Sequence, residues 1–172
     1  VGNNSRAVDG GRVGFYAADG AQLVAGNGCI AERNKDAGFE AESRNTCMQL
    51  GHSCQSSHNN LQGFNCEAGA TLLAGDGCLA SENDASGVRC SGANSMLIMG
   101  KQCKSQSNRN SGWLVLWGGH MGAGRGCAAS DNSAAGFESM GEGSRLVVDQ
   151  GCVSAGNKGG NWQQQGGDLL KA

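Results

Sequence analysis

This chain has no proline, few aromatic residues (5%) and no Cys-x-x-Cys pair. Without paired cysteines, its nine cysteines do not read as a zinc ribbon. No Pro-rich or other low-complexity tract interrupts it, so its 31 glycines do not mark a disordered segment. A basic block is also missing. Acidic and basic residues stand at 15 against 13, and a net charge of −2 gives no footprint for nucleic acid. The longest apolar runs, Met96 to Met99 and Trp113 to Trp117, are far too short to cross a bilayer, so no membrane span is expected. No signal or transit segment is visible from Val1, and the sequence encodes no compartment.

What the chain does have is a repeat. Cysteines fall at 29, 54, 78, 103, 127 and 152, and each is followed five residues later by an asparagine, at 34, 59, 83, 108, 132 and 157. Successive cysteines are 25, 24, 25, 24 and 25 residues apart, a period that belongs to stacked repeat architectures. One cysteine per repeat at an equivalent position is a packing ladder. Cys66 and Cys90 also fall at equivalent positions, but stacked parallel side chains would hold their β-carbons further apart than a relaxed disulfide prefers, so free thiols are expected.

Two further segments share the period. A Gly-aromatic-x-small head recurs, as in Gly38-Phe39-Glu40-Ala41 and Gly63-Phe64-Asn65-Cys66. Six residues before the cysteines stand Leu23, Met48, Leu72, Leu97, Met121 and Leu146; four before stand Ala25, Leu50, Ala74, Met99, Ala123 and Val148. Alternation with period two marks strands with one buried face. The head glycine lies nine or ten residues before the Leu/Met position, alternately, so two coils make a 49-residue super-repeat. The expected fold is all-β, a right-handed parallel β-helix with three short strands per 24–25-residue coil and about seven coils. At the interstrand spacing such a rod is about 34 Å long. Asparagine at the second bend can bond the asparagine one coil away, and it tolerates left-handed backbone. A leucine-rich repeat does not fit, since the position two after each asparagine follows no apolar rule.

The three-strand coil, the inward aromatic and Leu/Met stacks and the asparagine ladder resemble the right-handed β-helix of the pectin-lyase-like superfamily, across essentially the whole chain. That superfamily holds lyases, glycosidases, epimerases, tailspikes, adhesins and non-catalytic repeat proteins, so the resemblance implies a fold and leaves function to the site. Its polysaccharide-cleaving members imply an outward groove with carboxylates, often calcium, and a basic residue on the first sheet. Here the outward positions of that sheet, from Gln22 and Val24 to Arg145 and Val147, hold no carboxylate, which argues against lyase or glycosidase activity. No catalytic residue, cofactor or metal site is expected.

Two surfaces stand out. Glu40, Glu42, Glu67 and Arg89 fall at or near outward positions of adjacent coils, where they could bind a cation or a sugar chain, or else pair across coils on a solvated face. Outward Val24, Leu73, Ile98 and Val147 before one bend, with Ile30, Leu79, Ala128 and Val153 after it, draw an apolar strip suited to a protein contact. The bend positions Asn27, His52, Asp76, Lys101, Arg125 and Gln150 read as a solvated charge ladder, and His58 and His120 as isolated surface residues. Residues 1–172 read as one solenoid segment that begins at Val1 and stops at Ala172 in mid-coil, as part of a longer chain or with ends covered by a partner. The expected role is a non-catalytic scaffold or interaction subunit, with a protein partner or flanking segments on its surface. The alternative is a carbohydrate-binding or polysaccharide-active β-helix.

Overall fold

A computed structural model of the chain describes residues 1–171; the mid-coil stop read at Ala172 lies outside them. Twenty-one strands of three or four residues form three seven-stranded sheets, and within each sheet every strand lies beside its equivalents one coil away. All strand pairs are parallel, and the chain is a β-solenoid of about seven coils with three strands per coil. We call the sheets by their inward residues. The cysteine sheet begins at Arg6–Val8, the aromatic sheet at Phe15–Ala17 and the leucine sheet at Gln22–Ala25.

Inward positions stack like on like. Met48, Leu72, Leu97 and Leu146 are fully buried, as are the cysteines from 29 to 127 in the ladder. Phe15, Phe39 and Phe64 stack with centroids 4.8 and 5.1 Å apart, and Trp113, Phe137 and Trp162 form a second stack at 5.6 and 4.6 Å. Val88 separates the two. The backbone ladder imposes these spacings, so the rings lie nearly parallel. All nine thiols are free. Cysteine suits its position because it is small, apolar and a weak donor. Cys54 Sγ lies 3.5 Å from the carbonyl oxygens of both Gly51 and Gly26, the latter one coil before. The adjacent Cys90 thiol and burial push Cys66 up, and burial pushes Cys152 up, away from the reactive thiolate.

Each coil turns three corners through left-handed residues, one each at the cysteine and asparagine corners and two after the aromatic strand, as in Ser43 with Asn45 and Trp117 with Gly118. Gly28, Ser53, Gly77, Gln102 and Gly126 take this role just before the cysteines, and Ser43, Ala68, Gly92, Trp117 and Gly141 after the aromatic strands. At the asparagine corner it falls to Arg33, His58, Glu82, Ser107 and Asp131, with φ between 53° and 57°. Here the sequence reading is corrected: the residue before the asparagine takes the left-handed conformation, and the asparagine's work is done by its side chain. Proline, fixed near −65°, cannot serve at any such corner.

The asparagine ladder is unbroken from Asn34 to Asn157. Each Nδ2 donates to the Oδ1 of the asparagine one coil on, at 2.8–3.0 Å. The same Oδ1 accepts the backbone N–H of the previous asparagine, as from Asn59 to Asn83 at 3.1 Å. The super-repeat has a chemical basis too. In alternate coils the residue two after the cysteine is serine, and its hydroxyl donates to a carbonyl of the neighbouring head, Ser56 to Gly63 at 2.8 Å and Ser105 to Gly112 at 2.7 Å. Head glycines follow from crowding: a β-carbon on Gly87 would meet Ser105 Oγ at 1.9 Å.

The seventh coil is shorter than the others. Leu146 pairs with Leu169, a step of 23 residues, so the strand Asp168–Lys171 places Asp168 beside Arg145 on the outward row. The outward face of the leucine sheet therefore carries one carboxylate beyond the positions from Gln22 to Val147 that the sequence placed there.

Replacing Asn83 by alanine removes the acceptor of Asn59's backbone N–H and side-chain amide, both buried. The amide keeps the Ala31 carbonyl and the Ser56 hydroxyl, but the orphaned N–H costs about 1–3 kcal/mol, so urea unfolding should show a loss of roughly 2 kcal/mol, against about 1 kcal/mol for Asn157→Ala at the partly exposed end. Equal, small losses at both positions would show that the ladder is not what holds the corner.

Candidate functional site

The outer face of the aromatic sheet brings Glu40, Glu42, Glu67 and Arg89 together. Glu40, Asn65 and Arg89 stand side by side in one row, and Glu42 and Glu67 in the next. Arg89 donates to Glu67 at 2.7 Å and to Asn65 at 3.2 Å, and Asn65 donates to Glu40 at 2.7 Å. At the end of the row the Tyr16 hydroxyl donates to Glu42 at 2.6 Å. Neither Asn65 nor Tyr16 was singled out from sequence; the signal was available only as register, since both fall one coil from a glutamate. Burial, and the nearby carboxylates of Glu67, Glu42 and Asp36, push the Glu40 carboxyl up against the lowering effect of its bond from Asn65. A recess of about 380 Å³ opens here, lined by Arg12, Val13, Tyr16, Asp36, Glu40, Glu42 and Leu61. Among the described residues no three His, Cys, Asp or Glu side chains converge as metal ligands would. The recess offers a mixed polar and aromatic wall.

Four coils on from Tyr16, the same side of the rod carries Trp117. Its side chain is 69% exposed, and its backbone is left-handed with φ 53°. The equivalent residues in the neighbouring coils, Gly92 and Gly141, are glycines, and that corner favours one. Holding a bulky L-residue there costs about 1–2 kcal/mol. The Arg89 guanidinium stands 6.0 Å from the indole centre, so the tryptophan is tied to the Glu67–Arg89 pair. Nothing in the repeat arithmetic pointed to this residue.

The bend before the cysteines also differs from expectation. Asn27 Oδ1 accepts the N–H of His52 at 2.8 Å, His52 Nδ1 accepts that of Asp76 at 3.0 Å, and Asp76 Oδ1 accepts that of Lys101 at 2.7 Å. This is a second hydrogen-bonded ladder, which runs up to Lys101, whose ammonium has no acceptor to offer. With Nδ1 of His52 engaged, and Cys54 and Cys78 buried, the His–Asp pair has no nucleophile to activate. His58 is not isolated either: its Nε2 lies 3.0 Å from Glu82.

The apolar strip lies on two sheets. On the leucine sheet the outward row runs Val24, Gln49, Leu73, Ile98, Gly122, Val147 and Leu170. Val24 is 60% and Ile98 44% exposed; Leu73 and Val147 are half-buried. On the cysteine sheet Ile30, Leu79, Ala128 and Val153 alternate with Gln55 and Lys104, so the strip is broken there by polar groups. The stronger apolar surface is the leucine sheet.

Tyr16 is the single tyrosine, which makes its environment measurable. Its hydroxyl bond to Glu42, partial desolvation and the neighbouring negative charges favour the neutral phenol, so its pKa is pushed up to about 12. An ultraviolet titration should find a midpoint near 12 in the native chain and one close to the ordinary value in Glu42→Gln. An ordinary midpoint in the native chain would mean that the bond is not made in solution.

Compared with protein-family models, curated proteins and solved structures, the chain matches none of them.

Proposed function

We propose that this chain is a non-catalytic β-helical interaction module whose working surface is the outer face of the leucine sheet. The observation that carries this is the outward row of aliphatic side chains Leu73, Ile98, Val147 and Leu170, with Val24 beyond Gln49, held in register on a parallel sheet and exposed at Val24, Ile98 and Leu170. An apolar row of this kind, unbroken by polar groups from Leu73 to Leu170, marks contact with another protein. Meanwhile the ladder cysteines and asparagines serve the interior and its corners. For the winding, we read the right-handed β-helix of the pectin-lyase-like superfamily. Three parallel sheets, an asparagine ladder and the strong right-handed preference of strand–crossover–strand connections support this.

Leu73→Arg together with Ile98→Arg alters only the outer row. The double variant should melt within a few degrees of the parent, yet lose the stoichiometric partner that the parent retains in its native assembly. Retention of that partner by the variant, or turnover of a polysaccharide by the parent, would overturn the reading.

A second reading is favoured by Trp117. An exposed indole and an exposed tyrosine flank the patch of Glu40, Glu67 and Arg89, which the buried Asn65 ties together, an arrangement suited to a sugar chain lying along the rod. In gels cast with polysaccharide, Trp117→Ala should weaken retardation by about 1 kcal/mol in binding, and Glu40→Gln with Glu42→Gln should weaken it further. Mobility that no polysaccharide alters would remove this reading.

A further inference from the structure

We propose that the outer face of the leucine sheet packs against a second copy of this chain, with the two rods antiparallel. This rests on the interaction role proposed above and names its partner. The lead is Gly122. In its row the neighbours are Ile98 and Val147, and a side chain at Gly122 would fit: a β-carbon there meets nothing closer than Ile98, at 3.9 Å. Its backbone is not left-handed either. Glycine in a strand interior is destabilising by about 0.5–1 kcal/mol relative to alanine. The chain's own fold therefore gives no reason for it.

What the glycine makes is a notch of about 240 Å³, walled by Met96, Ile98, His120, Arg145 and Val147. One coil before it stands Ile98, projecting and 44% exposed. A knob beside a hole of matching chemistry is self-complementary under a two-fold axis. With that axis along the strands, between these two coils, Ile98 of each copy enters the notch over Gly122 of the other. The same operation sets Leu73 against Val147 and Met96 against His120. It also sets Arg145 against Thr71 and Asp168 against Cys47, so no like charges of the two rows meet. Aliphatic groups face one another at the centre, Met96 faces His120, Leu170 faces Gln49, and both charges face small, half-buried side chains.

Six facing coils of four-residue strands give a contact of about 30 by 13 Å. That is on the order of half the area per partner of a standard interface, so the dimer is a weak one. Sedimentation velocity from micromolar to sub-millimolar concentration should show a monomer–dimer equilibrium. Gly122→Val fills the notch and should weaken dimerisation about tenfold while leaving the melting temperature unchanged or raised. Asp168→Cys should cross-link to the native Cys47 of the other copy under mild oxidation by diamide, whereas Gln22→Cys, which faces no strand of the second copy, should not. A parent that stays monomeric throughout, a dimer indifferent to Gly122→Val, or cross-linking through Gln22→Cys in place of Asp168→Cys would each overturn the proposal. A monomer that still loses a different protein partner in the Leu73→Arg/Ile98→Arg chain would assign the face to that partner, so the two readings fail separately.

Discussion

The corner beside the asparagine ladder is the constraint that the rest of the solenoid depends on. Within the sheets, backbone groups find partners automatically, because each strand lies against its equivalent. At a corner the backbone leaves that pattern while staying buried, and its N–H groups need acceptors. A carboxamide carries a donor and an acceptor on one short arm, so a column of asparagines can repeat at the coil spacing with every member satisfied. A column of aspartates would repel itself, and serine is too short to span the gap. Asn59 illustrates the economy: its Nδ2 reaches Asn83 at 3.0 Å and the Ala31 carbonyl at 3.2 Å, while its own Oδ1 takes two hydrogens from Asn34. Once this column is fixed, a coil cannot slip by one residue without emptying it. The Phe/Trp, Leu/Met and Cys stacks are then held in register as a consequence, and their dispersion contacts add to it.

That dependence is why the architecture could be read from residues alone. The cysteine and asparagine positions gave the coil length, and period-two alternation around Leu72 and Leu97 gave the strands and their inner face. The errors came where conformation, and not spacing, decides. Asparagine is the residue most often invoked for left-handed backbone, yet Arg33, His58 and Glu82 hold it here, because the corner geometry requires the asparagine side chain to point along the ladder. The seventh coil escaped because its connection is shorter, and a register is fixed by pairing and not by counting.

The candidate surfaces were legible to a different degree, for a physical reason. Inward positions repeat because each sees the same neighbours in every coil. Outward positions see solvent, so they are free to differ, and periodicity says nothing about them. Glu40, Glu67 and Arg89 could be placed near one another by counting coils. Arg89 bonds Glu67 directly, but its link to Glu40 runs through Asn65, and their far neighbour Trp117 sits on a corner, so neither Asn65 nor Trp117 was visible as a pattern. Likewise the bend column through His52 and Asp76 read as a solvated charge ladder and not as a bonded one, because its members share hydrogen-bonding capacity and not residue type.

In a molecule this regular, the informative residues are those that act against the local preference. Trp117 occupies a corner that glycine would fill without strain, and it does so with its ring in solvent. Gly122 does the reverse, leaving bare a strand position where the neighbouring coils carry branched side chains and where there is room for one. Each choice is unfavourable by an amount comparable to a single hydrogen bond. A ladder of repeated, fully satisfied corners can absorb both. Local rules broken in an otherwise consistent fold point to requirements set from outside the chain. The two exceptions lie on different faces, one aromatic and polar, the other aliphatic and notched. The interior therefore determines what the rod is, and these two departures are where the proposed contacts would be made.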